Sequence, residues 1–490
     1  MPSLAPVPHP DELFIGGAWT APAAGGRAPV VNPSTGAVIA ELADAGPADI
    51  DRAVAAARAA FDRGPWPELS VEERTAALRR FTDALKVRTP AINETWGAEC
   101  GATVGWQQGL HDLAAPMMFE AAFAEAAATP LVERRDGPFG PAEIRREPFG
   151  VAACIITYNG PLAYIGFKVL PALLAGNTVV LKLPPEVRAL GHWVAEAVEA
   201  AELPPGVLSV VTAGADASRH LVEHPDVDIV SFTGGTAVGR QILRSTAERI
   251  APCTLELGGK CAGIVADDIP LEQLLPALVP GLVAFQGQVC VALTRVLVSG
   301  RRHDEVVAGL VEAFKALSIG DVADPEVTFG PVAVERTRDR CEASVARAVA
   351  DGATVAHGGR RPSGLDRGWF YEPTLLTDVT NDMAVARDEV FGPVFTVIRY
   401  DDIDDAVRIA NDSPYGLSGA IFTNDGDLAL GVARRIRAGS FTTNTVGGAP
   451  GHPFGGYKQS GIGREMGPEG YLEWLQTKSI SLASTLFMDH

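Results

Sequence analysis

Cysteine is scarce in this chain, with six residues in 490. That is too few for a disulfide framework, and it leaves either core thiols or one cysteine with a chemical task. The opening residues, Met1 to Pro6, carry no basic region and no apolar stretch, so no signal peptide is expected. No apolar run reaches the roughly 18 residues that a membrane span needs. Pro276 to Phe285 is among the longest such runs, and Pro280 interrupts it. Positive charge is in deficit: 41 lysines and arginines face 60 aspartates and glutamates, a net charge of −19. Such a surface repels phosphate backbones and anionic lipid, so neither nucleic acid nor membrane is an expected partner. No repeat of solenoid or propeller length is present. The 52 glycines and 36 prolines follow no period, which excludes collagen. What is there is ordinary globular composition, 47% apolar and 21% charged, with length for about three domains. A cytoplasmic enzyme is the expected class.

Helices announce themselves by period and cap. Asp49 to Phe61 places Ile50, Val54, Ala57 and Phe61 on one face, with Asp49 and Asp51 at the positive end of the dipole. Ser70-Val-Glu-Glu73 is a capping box ahead of Leu78, Phe81 and Leu85. Asp402 opens a further helix that Ser413-Pro414 stops. Between about 150 and 260, short apolar runs at Val151–Ile156, Thr178–Leu181, Val207–Val211 and Val227–Phe232 read as strands. Helical patterns separate them, from about Pro161 to Leu174, Ala189 to Ala201 and around Ser218–Glu223. This alternation predicts a parallel sheet wrapped by helices. A looser alternation of the same kind runs from Val283 to Ile436. The polar segment 129–148, with Asp136-Gly137 at its middle, predicts an exposed hairpin.

Several residues could carry chemistry. Cys290 sits in Phe285-Gln-Gly-Gln-Val-Cys290, where Gly287 permits close backbone approach. A reactive cysteine needs its thiolate stabilised, whereas an ordinary one is a small buried hydrophobe. Glu256, in Leu255-Glu-Leu-Gly-Gly-Lys260, is either a strand-end carboxylate or a base with a pKa raised by apolar neighbours. Asn159 follows a strand directly, as a turn residue or as an amide donor to an oxyanion. Phe232-Thr-Gly-Gly-Thr-Ala-Val-Gly239 begins a helix after a strand, which suits pyrophosphate on helix amides, although it is not the G-x-G-x-x-G fingerprint.

Taken together with Glu389-Val-Phe391-Gly-Pro, these motifs resemble the NAD(P)-dependent aldehyde dehydrogenase superfamily. The resemblance runs from Leu13-Phe-Ile-Gly-Gly to Pro453-Phe-Gly-Gly-Tyr-Lys-Gln-Ser-Gly461. It implies the hydrolytic, non-acylating type, in which Cys290 is the nucleophile and Glu256 the general base. Asn159 with the Cys290 amide would form the oxyanion site, and Lys168 would belong to a proton path. A cofactor groove is implied along the strand end Ile155, Ile156 and Thr157, at Lys182 and Glu186, and at Leu257 and Gly258. The glycine turn would add Phe232, Thr233, Gly234, Gly235 and Val238 to it, with Glu389 and Phe391 at the nicotinamide end. The expected cofactor is NAD, with NADP possible. If Glu186 reaches the ribose hydroxyls, its charge repels a 2′-phosphate and favours NAD.

The departures from the family pattern concern substrate. Gly160 and Gly448 stand where bulky side chains are common, and Ala284 is not the arginine that clamps semialdehyde acids. With Tyr158, Phe167, Phe285, Val289, Val291 and Phe454 they predict an apolar tunnel for a neutral, bulky aldehyde. The implied fold is α/β: two Rossmann-like parallel-sheet domains, 1–128 with 149–256 for the cofactor and 257–475 for catalysis. A small β element, 129–148 and 476–490, would pair subunits into a homodimer or homotetramer, since an open hairpin edge invites strand addition. Two other readings compete. A zinc peptidase could use His220-Leu-Val-Glu223-His224, although Pro225 ends the helix and no third ligand is evident, so no metal is expected. A non-catalytic protein on this fold would need a damaged nucleophile, and Cys290, Glu256 and Asn159 are intact.

Overall fold

The buried apolar runs between 151 and 256 form five parallel strands: Val151–Ile155, Thr178–Leu183, Leu208–Thr212, Ile229–Thr233 and Cys253–Glu256. Nearly every residue in them is buried, as expected of strands covered by helices on both faces. In this computed structural model, which describes residue 4, residues 6–138 and residues 140–481, they are the centre of an eight-stranded sheet. Leu13–Ile15 and Ala18–Thr20 extend one edge and Gly461–Ile462 the other. Val151–Ile155 lies between Thr178–Leu183 and Ile229–Thr233, so the direction of winding reverses beside it. A crevice opens at the carboxyl ends of the strands at such a point.

A second sheet has seven strands. Ala262–Val265 pairs in parallel with Arg295–Ser299 and with Gly419–Phe422, and Val394–Tyr400 and Thr374–Thr377 follow on one side. The third sheet is the expected hairpin, Val132–Arg135 with Ala142–Pro148, completed by Leu475–Ser481. Leu475 faces Pro148 and Ser481 faces Ala142, so the end of the chain runs the length of the hairpin. Residues 1–3, 5, 139 and 482–490, which include most of the expected tail, lie outside the described residues. Gly461–Ile462 belongs to the first sheet, although it falls within 257–475. It pairs Gly461 with Glu256 and so brings the following loop beneath that residue.

The helices follow their caps. Pro47–Arg63 starts where the Asp49 carboxylate accepts the Gly46 amide at 2.9 Å. Val71–Cys100 starts at the Ser70–Glu73 box, with reciprocal bonds of 3.2 and 2.7 Å. The helix expected from Pro161 to Leu174 is broken. A wide turn, Ile165–Val169, separates Pro161–Tyr164 from Leu170–Leu174. Pro171 has no N–H to donate one turn back, which removes the α-helical bond there. The widened turn carries Phe167 and Lys168. Among the described residues, no helix is long and apolar enough to cross a membrane.

Candidate active site

The carboxyl ends of neighbouring strands bring together Thr157, Tyr158 and Asn159, the turn Thr233-Gly234-Gly235, and Gly258, two residues past Glu256. They form one wall of a cavity of ≈ 270 Å³. The opposite wall comes from the second sheet and its helices: Cys290, Arg336, Thr337, Arg340, Glu389 and Phe391.

Cys290 follows a tight turn. Phe285, Gln286 and Gly287 all have positive φ, at 44°, 54° and 72°. Two of these are not glycine, and such backbone persists only where its surroundings enforce it. At Gly287 a side chain would run into the Gly392 backbone, so this turn and the Phe391 loop touch without space for a Cβ. The Gln288 side chain locks the same turn, accepting from Tyr158 Oη at 3.2 Å and from the Ala333 amide at 3.1 Å. Asn159 Nδ2 donates to Gln288 O at 2.9 Å, and Tyr164 Oη donates to Asn159 Oδ1 at 3.0 Å. The amide is therefore fixed, and one of its two N–H groups remains for a ligand. Cys290 is half-buried. Burial, with Glu389 nearby, pushes its thiol well above the ordinary cysteine range. The Cys261 thiol donates to Cys290 O at 3.6 Å.

Glu256 is buried at the end of its strand, and neither carboxylate oxygen has a hydrogen-bond partner among the described residues. The Gly456 amide is close enough to act on its charge but lies outside hydrogen-bond geometry. Burial raises the Glu256 pKa strongly, Glu465 adds to the rise, and Lys168 and Arg464 oppose it. Behind it Lys168 and Glu465 form a fully buried ion pair, and Lys168 Nζ donates to Ser231 Oγ at 2.8 Å. Phe454 and Glu465 exchange both backbone bonds at 2.7 Å, which ties the loop bearing Phe454 to this pair. Gly455, at φ 157°, lies so close that a Cβ would stand 2.8 Å from Glu256 Oε1. A side chain there would displace the carboxylate.

The same cavity carries groups suited to an anionic ligand, Arg336 and Arg340 among them. Thr233 Oγ1 is buried without a partner and lines it, as does the start of the helix Thr236–Ala247. Glu389 accepts the Gly259 amide at 2.9 Å, and burial raises its pKa to about 6. Burial lowers Lys182 to about 8. Ile155, Ile156, Phe232 and Leu257 are buried beneath the groove, and Val238 is exposed on the helix. Glu186 forms an ion pair with Arg336. Arg336, Thr337 and Arg340 are cavity residues the sequence reading did not single out. They lie on the helix Glu335–Ala350, whose dense charge reads as a solvated face. Glu465 was likewise missed, since the single-residue bridge that pairs it with Phe454 carries no periodicity.

The apolar residues divide. Phe167 stacks on Phe454 with centroids 6.4 Å apart, and Tyr164 meets Phe167 edge-on at 6.1 Å. Gly448 leaves room: a Cβ would find Phe454 at 3.5 Å and Met466 at 3.8 Å. Gly160 leaves less, because Leu110 from the wide helical turn Gln108–Ala114 would stand 3.3 Å from a Cβ. Ala284, Val289 and Val291 are half-buried around the turn. Phe285 is packed in the core between Trp96 and Trp106, at 5.4 and 6.4 Å. Tyr158 lines the same cavity as Cys290, with its ring edge-on to Phe391.

His220 and His224 both face Asp51, at 2.5 and 3.6 Å, and Glu223 ends the helix between them. Among the described residues, no group of three or more His, Cys, Asp or Glu side chains is gathered for a metal.

The profile of the aldehyde dehydrogenase family matches residues 19–480. Geranial dehydrogenase of Castellaniella defragrans is 40% identical over 483 residues, 96% of this chain and 98% of that protein. The crystal structure of a Mycobacterium tuberculosis aldehyde dehydrogenase complexed with NAD+ superposes with a TM-score of 0.95 at 41% identity, covering 97% and 98% of the two chains. Aldehyde dehydrogenase C of Pseudomonas syringae, a variant complexed with NAD+ and octanal, gives 0.93 at 36% identity over 98% and 99%.

Proposed function

The chain belongs to the aldehyde dehydrogenase family and oxidises aldehydes to carboxylic acids with NAD, and on that premise we propose that Cys290, Asn159 and Glu256 divide the chemistry. The observation that carries this division is Asn159, fixed by Gln288 and Tyr164 with one N–H free beside Cys290. Cys290 Sγ, deprotonated to the thiolate, attacks the carbonyl carbon, and the carbonyl π electrons move onto oxygen. The Asn159 amide and the Cys290 N–H hold that oxygen as the thiohemiacetal forms. When bound, NAD supplies the acceptor for the hydride that leaves this carbon. The residue left on Cys290 is a thioester. Glu256, unpaired and with a raised pKa, takes a proton from water, whose oxygen attacks the thioester carbon and expels the Cys290 thiolate. Lys168 and Glu465 form an ion pair behind Glu256, so the proton it gains has the Glu465 carboxylate as an acceptor to pass to.

In the cofactor groove Thr233 Oγ1 and the helix start at Gly235 would hold the pyrophosphate, Arg340 would face its charge, and Lys182 and Glu186 would face the adenosine ribose. Glu389, anchored by the Gly259 amide, would hold the nicotinamide ribose, with Phe391 beside the ring.

The substrate is a neutral, bulky, apolar aldehyde. The stacked Phe167 and Phe454, with Leu110 and the open space at Gly448, support this reading. Relatives named for geranial and complexed with octanal fit the same substrate class. The subunits form a homodimer or homotetramer through the three-stranded sheet, whose outer strands have unpaired edges among the described residues. All six cysteines are free, which suits the reducing cytoplasm. Initial rates over terpenoid, long-chain, aromatic and charged aldehydes test the substrate class. Terpenoid and long-chain aldehydes should give the highest kcat/KM, and a strong preference for succinic semialdehyde or betaine aldehyde would overturn it.

A further inference from the structure

Glu186 and Arg336 meet at the rim of the cofactor cavity from opposite walls. Glu186 follows the strand Thr178–Leu183 of the first sheet, and Arg336 lies in the first turn of the helix Glu335–Ala350 on the other side. The two side chains differ in freedom. That of Glu186 is only 11% exposed, and its backbone carbonyl accepts the Cys100 thiol at 2.9 Å. That of Arg336 is 69% exposed, and Glu186 is its one ion-pair partner among the described residues. Arg340, one turn on, is tied to Val390 O at 2.6 Å and Thr337 Oγ1 at 3.2 Å. Lys182 is buried and loses its charge near pH 8, whereas an arginine stays charged. Arg336 is therefore the permanent, movable cation beside the acidic residue that faces the adenosine ribose.

A free carboxylate at Glu186 would repel a 2′-phosphate. Here that charge is already matched, and the matching guanidinium has the planar fork that phosphate accepts. We propose that Arg336 opens this site to 2′-phosphorylated cofactor, so that the enzyme uses NADP as well as NAD. The proposal rests on the reading that Glu186 faces the adenosine ribose. Arg336 leaves Glu186 for the 2′-phosphate when NADP enters, and stays at the rim, clear of the reacting atoms, when NAD enters.

Calorimetric titration with two cofactor fragments, ADP-ribose and its 2′-phosphate, tests this without turnover. The wild type should bind both, with Kd values within about tenfold of each other. Arg336→Ala should weaken the 2′-phosphorylated fragment at least about tenfold, the order of one lost charged hydrogen bond, and leave ADP-ribose unchanged or tighter. Arg336→Lys should restore part of the loss. Unchanged binding of the 2′-phosphorylated fragment in Arg336→Ala would overturn the proposal, as would wild-type protein that binds only ADP-ribose. Glu186→Gln separates the two readings. It should weaken ADP-ribose and tighten its 2′-phosphate. If neither moves, Glu186 does not face the ribose and that reading falls, whatever Arg336→Ala does.

Discussion

Cys290 rests as a thiol. Burial and the nearby carboxylate of Glu389 both disfavour its charged form. The thiolate is the reactive species, so raising the pKa removes it at neutral pH and returns it as the pH rises. Inactivation of the cofactor-free enzyme by iodoacetamide should therefore accelerate steadily from pH 6 to pH 9 without a plateau. A plateau near neutrality would mean that the site stabilises the thiolate by itself. Cys100, Cys154, Cys261 and Cys341 are buried and Cys253 is half-buried, so loss of activity reports on Cys290 better than total labelling does. At this scale the sequence was most informative: Cys290, Asn159 and Glu256 each stand at the end of an apolar run or in a glycine turn. Arg336 and Arg340 stayed hidden because a charged helix face normally meets water. Leu110 stayed hidden because nothing in its composition marks a widened helical turn.

Among the elements, the helix Arg188–Ala200 depends on a distant residue. Glu99, near the end of Val71–Cys100, is buried and accepts the amides of Ala189 and Leu190 at 2.7 and 2.8 Å. These are first-turn amides that no helical carbonyl can satisfy. Glu99 thus fixes the start of the helix that directly follows Glu186. Glu99→Ala should lower the thermal midpoint by a few degrees, matching about 1–3 kcal/mol for stranded buried donors. Glu99→Gln keeps one oxygen and should lose less. Equal midpoints for all three proteins would contradict this role. The five parallel strands were legible because burial on both faces makes each a short, continuous apolar run. The break at Ile165–Val169 was not, since its cause, a missing N–H at Pro171, is also tolerated at an ordinary helix start.

At the scale of the molecule, the carboxyl-terminal part of the chain serves both the first sheet and the hairpin sheet. It adds Gly461–Ile462 beside Glu256, supplies Glu465 to Lys168, and completes the hairpin with Leu475–Ser481. Antiparallel pairing from Leu475 to Ser481 covers one side of the hairpin and leaves the sheet small and, among the described residues, open at both edges. Chains truncated after Leu475 should sediment as monomers, while the full chain should sediment as a dimer or tetramer. An unchanged oligomer in the truncated chain would place the contact elsewhere.

Central to the account is an acyl group carried on Cys290 and released by water that Glu256 activates. Glu256→Gln, mixed with NAD and octanal and quenched with acid, should show the octanoyl mass on the intact protein. Peptide mapping should locate it at Cys290, with one NADH formed per active site and little turnover after that. An unmodified protein that keeps turning over, or an adduct on Cys261, would contradict it.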